Sequence, residues 1–204
     1  MIYLLDLFGI AVFAISGALA AGRKKMDMFG IVVVALVTTI GGGTLRDIIL
    51  GIRPVFWVGD PASLIVASVA AVATFLAVRF IRIPHRTLLL FDAFGLALFT
   101  VLGCQRSMAV TDSQTIIVVM GILTGVAGGM IRDLLCGEIP VILRGEIYAT
   151  ASLLGGITYV GLRSLGGDPG TVTIAAIVAA LGLRLAAIHW RLSLPIFNLT
   201  EEQP

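Results

Sequence analysis

The run Gly42-Gly43-Thr44-Leu45-Arg46-Asp47 returns 86 positions later as Gly128-Gly129-Met130-Ile131-Arg132-Asp133. Working outward from either copy keeps the register. Upstream, Asp6, Phe8 and Gly9 fall on Asp92, Phe94 and Gly95, Phe13 on Phe99, and Gly17 on Gly103. Ile31-Val32-Val33 falls on Ile117-Val118-Val119; downstream, Gly51 falls on Gly137 and Pro54-Val55 on Pro140-Val141. Across residues 4–55, 18 of 52 positions are identical without a gap. Apolar composition alone would make Val and Ile coincide, but not Asp, Gly, Arg-Asp and Pro in one frame. The chain therefore contains an internal repeat, which constrains the architecture before any single residue is interpreted.

Of the 204 residues, 58% are hydrophobic and 13% charged, against about 45–50% and about 25% in ordinary soluble domains. With a mean hydropathy of +1.07, much of the surface must have lipid as its solvent. Apolar runs at 3–21, 29–50, 62–80, 87–105, 114–136, 146–163 and 171–190 approach the roughly 20 residues a membrane-crossing helix needs. The breaks are Arg23-Lys24-Lys25, Gly59-Asp60-Pro61, Arg82-Ile83-Pro84-His85-Arg86 and Gly166-Gly167-Asp168-Pro169-Gly170. Little is left for a separate soluble domain. The expected fold is an all-α integral membrane protein of seven transmembrane helices, in which two inverted three-helix repeats are followed by a seventh helix. Three spans per unit is an odd number, so the second unit enters from the opposite face, an arrangement typical of transport proteins. The units are 1–86 and 87–166, and 167–204 holds the seventh helix and a cytoplasmic tail. A secretory leader at 2–22 is disfavoured, because this start has no Lys or Arg and carries Asp6.

The basic residues divide unevenly between the two faces. Arg23, Lys24, Lys25, Arg79, Arg82, Arg86, Arg132, Arg144, Arg184 and Arg191 collect on one side, against Arg46, Arg53, Arg106 and Arg163 on the other. The positive-inside rule then places the N-terminus outside and the C-terminus in the cytoplasm. A net charge of +2 spread over loops reads as topology, not as a nucleic-acid surface. Cys104 and Cys136 fall near opposite faces, so no disulfide is expected, and no metal-ligand spacing exists. His85 and His189 sit at predicted helix ends. The chain carries no Gly-x-Ser-x-Gly elbow, no Walker loop and no His-Glu-x-x-His, which argues against an enzyme or a nucleotide-driven pump. Passive or ion-coupled movement remains.

The glycine clusters are the candidate site. About a dozen residues at 1.5 Å each carry the second span just past the midplane before Gly41, Gly42 and Gly43. Glycine costs roughly 1 kcal/mol per position inside a helix. A kink or break is therefore expected there, with Thr44–Leu50 as a half-helix; Gly128 and Gly129 form the counterpart. Unwound backbone cannot face lipid, so these segments would border a permeation path; close helix packing is the alternative use of such glycines. Buried charges mark ion pathways, and the repeat suggests two mouth ion pairs, Asp6 with Arg46 and Asp92 with Arg132. Asp47 and Asp133 would remain to concentrate cations, the alternative being that all six charges anchor helix ends. Arg184 is expected to snorkel toward the cytoplasmic face, and Phe56, Trp57 and Trp190 to anchor at interfaces. Ser16, Thr38, Thr39, Ser68 and Thr124 are candidate polar lining.

Taken together, the spans, the repeat, GGGTLRD and GGMIRDLLCGEIP resemble the prokaryotic branch of the trimeric intracellular cation channel family over almost the whole chain. That resemblance implies a homotrimer embedded, multi-pass, in the lipids of a prokaryotic inner membrane, each protomer with its own pore lined by two helices kinked at Gly41, Gly42 and Gly43 and at Gly128 and Gly129. It implies conduction of monovalent cations, chiefly potassium, with no cofactor beyond the permeant potassium or sodium ions. Ala127 stands where the first copy has Gly41, so the two kinks need not be equivalent. The Lys-Glu-Val motif of phosphoinositide-binding animal members is absent from this sequence. Related bacterial sequences are also called glycine transporters, so secondary transport of a small solute such as glycine is the alternative.

Overall fold

The computed structural model describes residues 2–80 and 84–195, the side chains of Ile2 and His85 excepted. The break at Arg82-Ile83 and most of the C-terminal tail fall outside the described residues. Each apolar run is met by one helix: α1 (Ile2–Arg23), α2 (Met28–Leu50), α4 (Ala62–Ala77), α5 (His85–Met108), α6 (Gln114–Leu135), α7 (Ala149–Ser164) and α8 (Pro169–Trp190). Two small elements escaped the hydropathy pattern, the four-residue α3 (Phe56–Gly59) and a 3-10 turn at Val141–Leu143. α1, α2, α5, α6 and α8 are long and apolar enough to cross a membrane. α4 and α7 have 16 residues each, shorter than the roughly 20 that span a hydrocarbon core. Among the described residues no strand forms; one isolated bridge joins Glu146 and Ser193.

Local chemistry sets the helix ends. The Asp27 carboxylate accepts the Gly30 amide at 2.7 Å and starts α2; Asp168 accepts the Gly170 and Thr171 amides at 3.0 Å, with Pro169 leading α8. Gly51 and Gly137 turn left-handed at φ 69° and 65° just past α2 and α6, a conformation glycine adopts without penalty. In both turns the next amide reaches back to an aspartate carbonyl, Ile52 to Asp47 and Glu138 to Asp133.

α1, α2, α5 and α6 pack around the centre; α4 lies on α1 and α2, α7 on α5 and α6, and α8 on α5 and α7. Contacts recur at the 86-residue offset. The Phe13 and Phe99 rings meet with centroids 5.2 Å apart. Phe99 covers Gly9 and Phe13 covers Gly95; Gly17 faces Ala35 and Thr38, while Gly103 faces Gly121 and Thr124. Outward-facing apolar side chains such as Phe29, Ile65, Val69, Ile174 and Val178 stay exposed, as a hydrocarbon surround requires.

Candidate functional site

The site begins where α2 crosses α6. A Cβ at Gly42 would collide with the Thr124 carbonyl oxygen, and a Cβ at Gly128 with the Thr38 carbonyl oxygen. The two helices therefore cross antiparallel, glycine against threonine twice over. Gly43 lies under the Phe56 ring, Gly129 beside the Tyr148 hydroxyl and Gly41 beside Ile131. Of the expected kink or break, a break is absent: α2 and α6 run through the glycines as continuous helices, and Thr44–Leu50 is the end of α2 and not a separate half-helix. The physical reason is contact. The missing side chains let two backbones touch, and that packing offsets the poor helix propensity of glycine. Thr38 and Thr124 turn their hydroxyls back onto Val34 and Met120 carbonyls at 2.6 Å, which needs no solvent.

A charged cluster caps each side of this crossing. On one side the Arg132 guanidinium donates from Nη1 to Asp92 Oδ1 at 2.5 Å and to Ser16 Oγ at 2.6 Å. Nε and Nη2 donate to Asp133 Oδ1 at 2.9 and 2.8 Å. Arg132 and Asp92 are 1% and 0% exposed, so water screens neither charge. The second oxygen of Asp133 accepts the Val141 amide at 3.0 Å and so starts the 3-10 turn. Tyr148 sends its hydroxyl toward Asp92 Oδ1 at 3.4 Å, while Asp92 Oδ2 is buried with no hydrogen-bond partner. Arg184 does not snorkel to the interface. It is buried, donating to Glu146 Oε2 at 2.7 Å and to the Ile147 carbonyl at 3.1 Å, with its guanidinium 5.0 Å over the Tyr148 ring. Thus α8, which has no counterpart in the repeat, braces Tyr148 against the cluster.

The opposite cluster shares half of this design. Arg46 donates from Nε and Nη2 to Asp47 Oδ1 at 2.9 and 2.6 Å, and Asp47 Oδ2 accepts the Phe56 amide at 2.9 Å, starting α3. The expected Asp6–Arg46 pair is corrected: Asp6 accepts from Arg106 Nη2 at 2.9 Å. The position equivalent to Arg106 in the first unit is Ala20, so only one side has a second arginine to claim the aspartate. Asp47 and Asp133 are likewise not left to attract cations, because each is held by its neighbouring arginine and by a backbone amide. Charge reversal checks the new pairing. The lesion of Asp6→Arg is expected to be relieved by Arg106→Asp and not by Arg46→Asp, read as ion flux from proteoliposomes. The half-exposed pair itself is worth under about 1 kcal/mol.

Two recesses flank the crossing. A cavity of about 260 Å³ opens at the Arg132 side, bordered by Arg23, Asp133, Cys136 and Leu88. Over it Glu138 joins Lys24 Nζ at 2.6 Å and Arg144 Nη2 at 2.8 Å. These two cations hold the Glu138 carboxyl below the usual carboxylate range, Lys24 most strongly. At the Arg46 side a crevice of only about 10 Å³ touches Asp6, Thr39, Phe99 and Arg106. Phe13–Phe99 and the two glycine–threonine contacts lie between. The repeat alone pointed to Arg46 and Arg132 but missed Arg106, Tyr148 and Glu146. Arg106 gave one usable signal, a basic residue whose repeat partner is uncharged. Among the described residues no cluster of metal-ligating side chains occurs, and both cysteines are buried free thiols.

Comparison with known proteins follows the same division. A family model described as "Glycine transporter" matches twice, at residues 3–79 and 89–164. The chain is 46% identical over 202 residues to a UPF0126 membrane protein of Vibrio cholerae, covering 98% of this chain and 84% of that one. It is 47% identical over 203 residues to the UPF0126 inner membrane protein YadS of Escherichia coli K12, covering 98% of each. Among solved structures it superposes with TM-score 0.89 on the TRIC trimeric intracellular cation channel orthologue from Rhodobacter sphaeroides, at 44% identity over 94% of this chain and 98% of that one.

Proposed function

Because the chain belongs to the prokaryotic branch of the trimeric intracellular cation channel family, we propose that it is a cation channel of the inner membrane, permeable to potassium. In this reading residues 1–86 and 87–166 are inverted units, residues 167–204 add a seventh crossing and a cytoplasmic tail, and the N-terminus lies outside. Three copies assemble among membrane lipids, each with its own path. The channel needs no cofactor; potassium or sodium is the cargo. The observation that carries the reading is the double glycine–threonine crossing between two buried charge clusters.

At that crossing the helices are too close for an ion to pass. Conduction therefore requires α2 and α6 to part, bending at Gly41, Gly42 and Gly43 and at Gly128 and Gly129. With no side chains there, the surfaces uncovered are the Thr38 and Thr124 carbonyl oxygens, which replace part of an alkali cation's hydration shell. Asp6, Arg46, Asp47, Asp92, Arg132 and Asp133 border the approaches. The charged groups stay paired in the closed form, which limits the cost of holding them in hydrocarbon.

Purified protein in planar bilayers should give ohmic unitary currents whose reversal potential follows a potassium gradient. Saturable glycine uptake without current steps would instead make it a secondary transporter and overturn the channel reading.

A further inference from the structure

The repeat builds the same groove twice, once near each face, and the two copies have diverged. In the first unit a groove of about 560 Å³ runs between α1, α2 and the end of α4. In the second, Met108, Ile117, Val160 and Ser164 border one of about 220 Å³. These four residues stand 86 positions after Gly22, Ile31, Thr74 and Val78, all of which border the larger groove. Two differences separate the copies. Met108 replaces Gly22, and a Cβ at Gly22 would meet nothing within 4 Å, so the first groove is open where the second holds a side chain. Arg23 and Arg79 border the first groove, with no acidic side chain among the described residues that line it; their repeat equivalents are Ala109 and Leu165, and the second groove has Asp112 beside Arg163.

We propose that the larger groove holds an anionic glycerophospholipid, one acyl chain lying along Ala18, Leu19 and Ile31 and the phosphate held between Arg23 and Arg79. An apolar trough that ends at two arginines matches an amphiphile of that charge. Arg79 is already fixed at the rim, its guanidinium 4.7 Å over the Phe75 ring. Basic recesses between membrane helices on the positive side take anionic headgroups, at about 1 kcal/mol for each Lys or Arg. The placement of this groove in the cytoplasmic leaflet rests on the orientation proposed above; binding itself does not.

Native mass spectrometry of the full chain, released from mixed phosphatidylglycerol and phosphatidylcholine, tests the assignment. The wild type is expected to retain phosphatidylglycerol preferentially. Arg23→Gln with Arg79→Gln should weaken that retention about thirtyfold. Gly22→Trp should displace the lipid while leaving the thermal transition of the protein in place, because that side chain fills open space. Equal retention of both lipids, or no loss in the double variant, overturns the proposal. So does disulfide cross-linking of Gly22→Cys between copies, which would make the groove a subunit contact. None of these readouts depends on current, so a failed conduction assay and a failed lipid assay are told apart. An impermeant thiol reagent on Lys25→Cys separately checks which leaflet is involved.

Discussion

Replacing Arg132 with methionine is expected to cost about 3–5 kcal/mol of stability, the usual result of removing one partner from a buried ion pair. The reason lies in what is left behind. Asp92 and Asp133 would both lose the guanidinium that joins them, and Asp92 is fully buried with one oxygen already unpartnered. For a chain of this size the loss corresponds to a fall of roughly 10 °C in the thermal transition, measurable as the temperature at which detergent-solubilised protein stops running as a single species. Adding Asp92→Asn and Asp133→Asn to Arg132→Met should recover much of that fall, since it removes the stranded charges. Arg46→Met is expected to do less harm, because its neighbour Asp6 keeps Arg106. If Arg46→Met proved the more damaging change, the account of the two clusters would be wrong.

The second large effect belongs to the crossing. Gly42→Ala and Gly128→Ala each place one methyl group against a backbone carbonyl that cannot rotate away. Overpacking of this kind costs about 1–3 kcal/mol, and here it also pushes α2 from α6. Gly161→Ala and Gly182→Ala supply the contrast: nothing lies within 4 Å of the added carbon, so each should be neutral or gain up to about 1 kcal/mol from helix propensity. Melting curves of the four variants side by side decide the matter. A uniform response would mean that contact at the crossing is unimportant. Potassium flux adds a second reading: on the proposed path it is expected to change in the two crossing variants and not in Gly161→Ala or Gly182→Ala.

The helices were legible because hydropathy is a property of short windows, and α1, α2, α5, α6 and α8 announce themselves. What the glycines do was not. A glycine cluster has the same local signature whether it loosens a helix or lets another helix touch it. The deciding atoms are carbonyls of Thr124 and Thr38, far away in the chain. Repeat symmetry misled in one place for an instructive reason. It transferred the Asp92–Arg132 geometry onto Asp6 and Arg46, yet Arg106 has no basic equivalent at Ala20, and that single asymmetry redirects Asp6. Tyr148 was equally hidden, since its repeat equivalent is Ala62 and its place depends on Arg184 in the unrepeated α8.

That asymmetry has an electrical consequence. At one end, the Asp92–Arg132–Asp133 group opens on a cavity of about 260 Å³ bordered by Arg23, Lys24, Glu138 and Arg144; at the other, Arg46 and Arg106 balance Asp47 and Asp6 beside a crevice of about 10 Å³. In the proposed channel, a route that begins in a charged vestibule and ends in a cleft is not the same journey in reverse. The two halves share an ancestry of shape, but the protein they make is polarised, and its two thresholds are unalike.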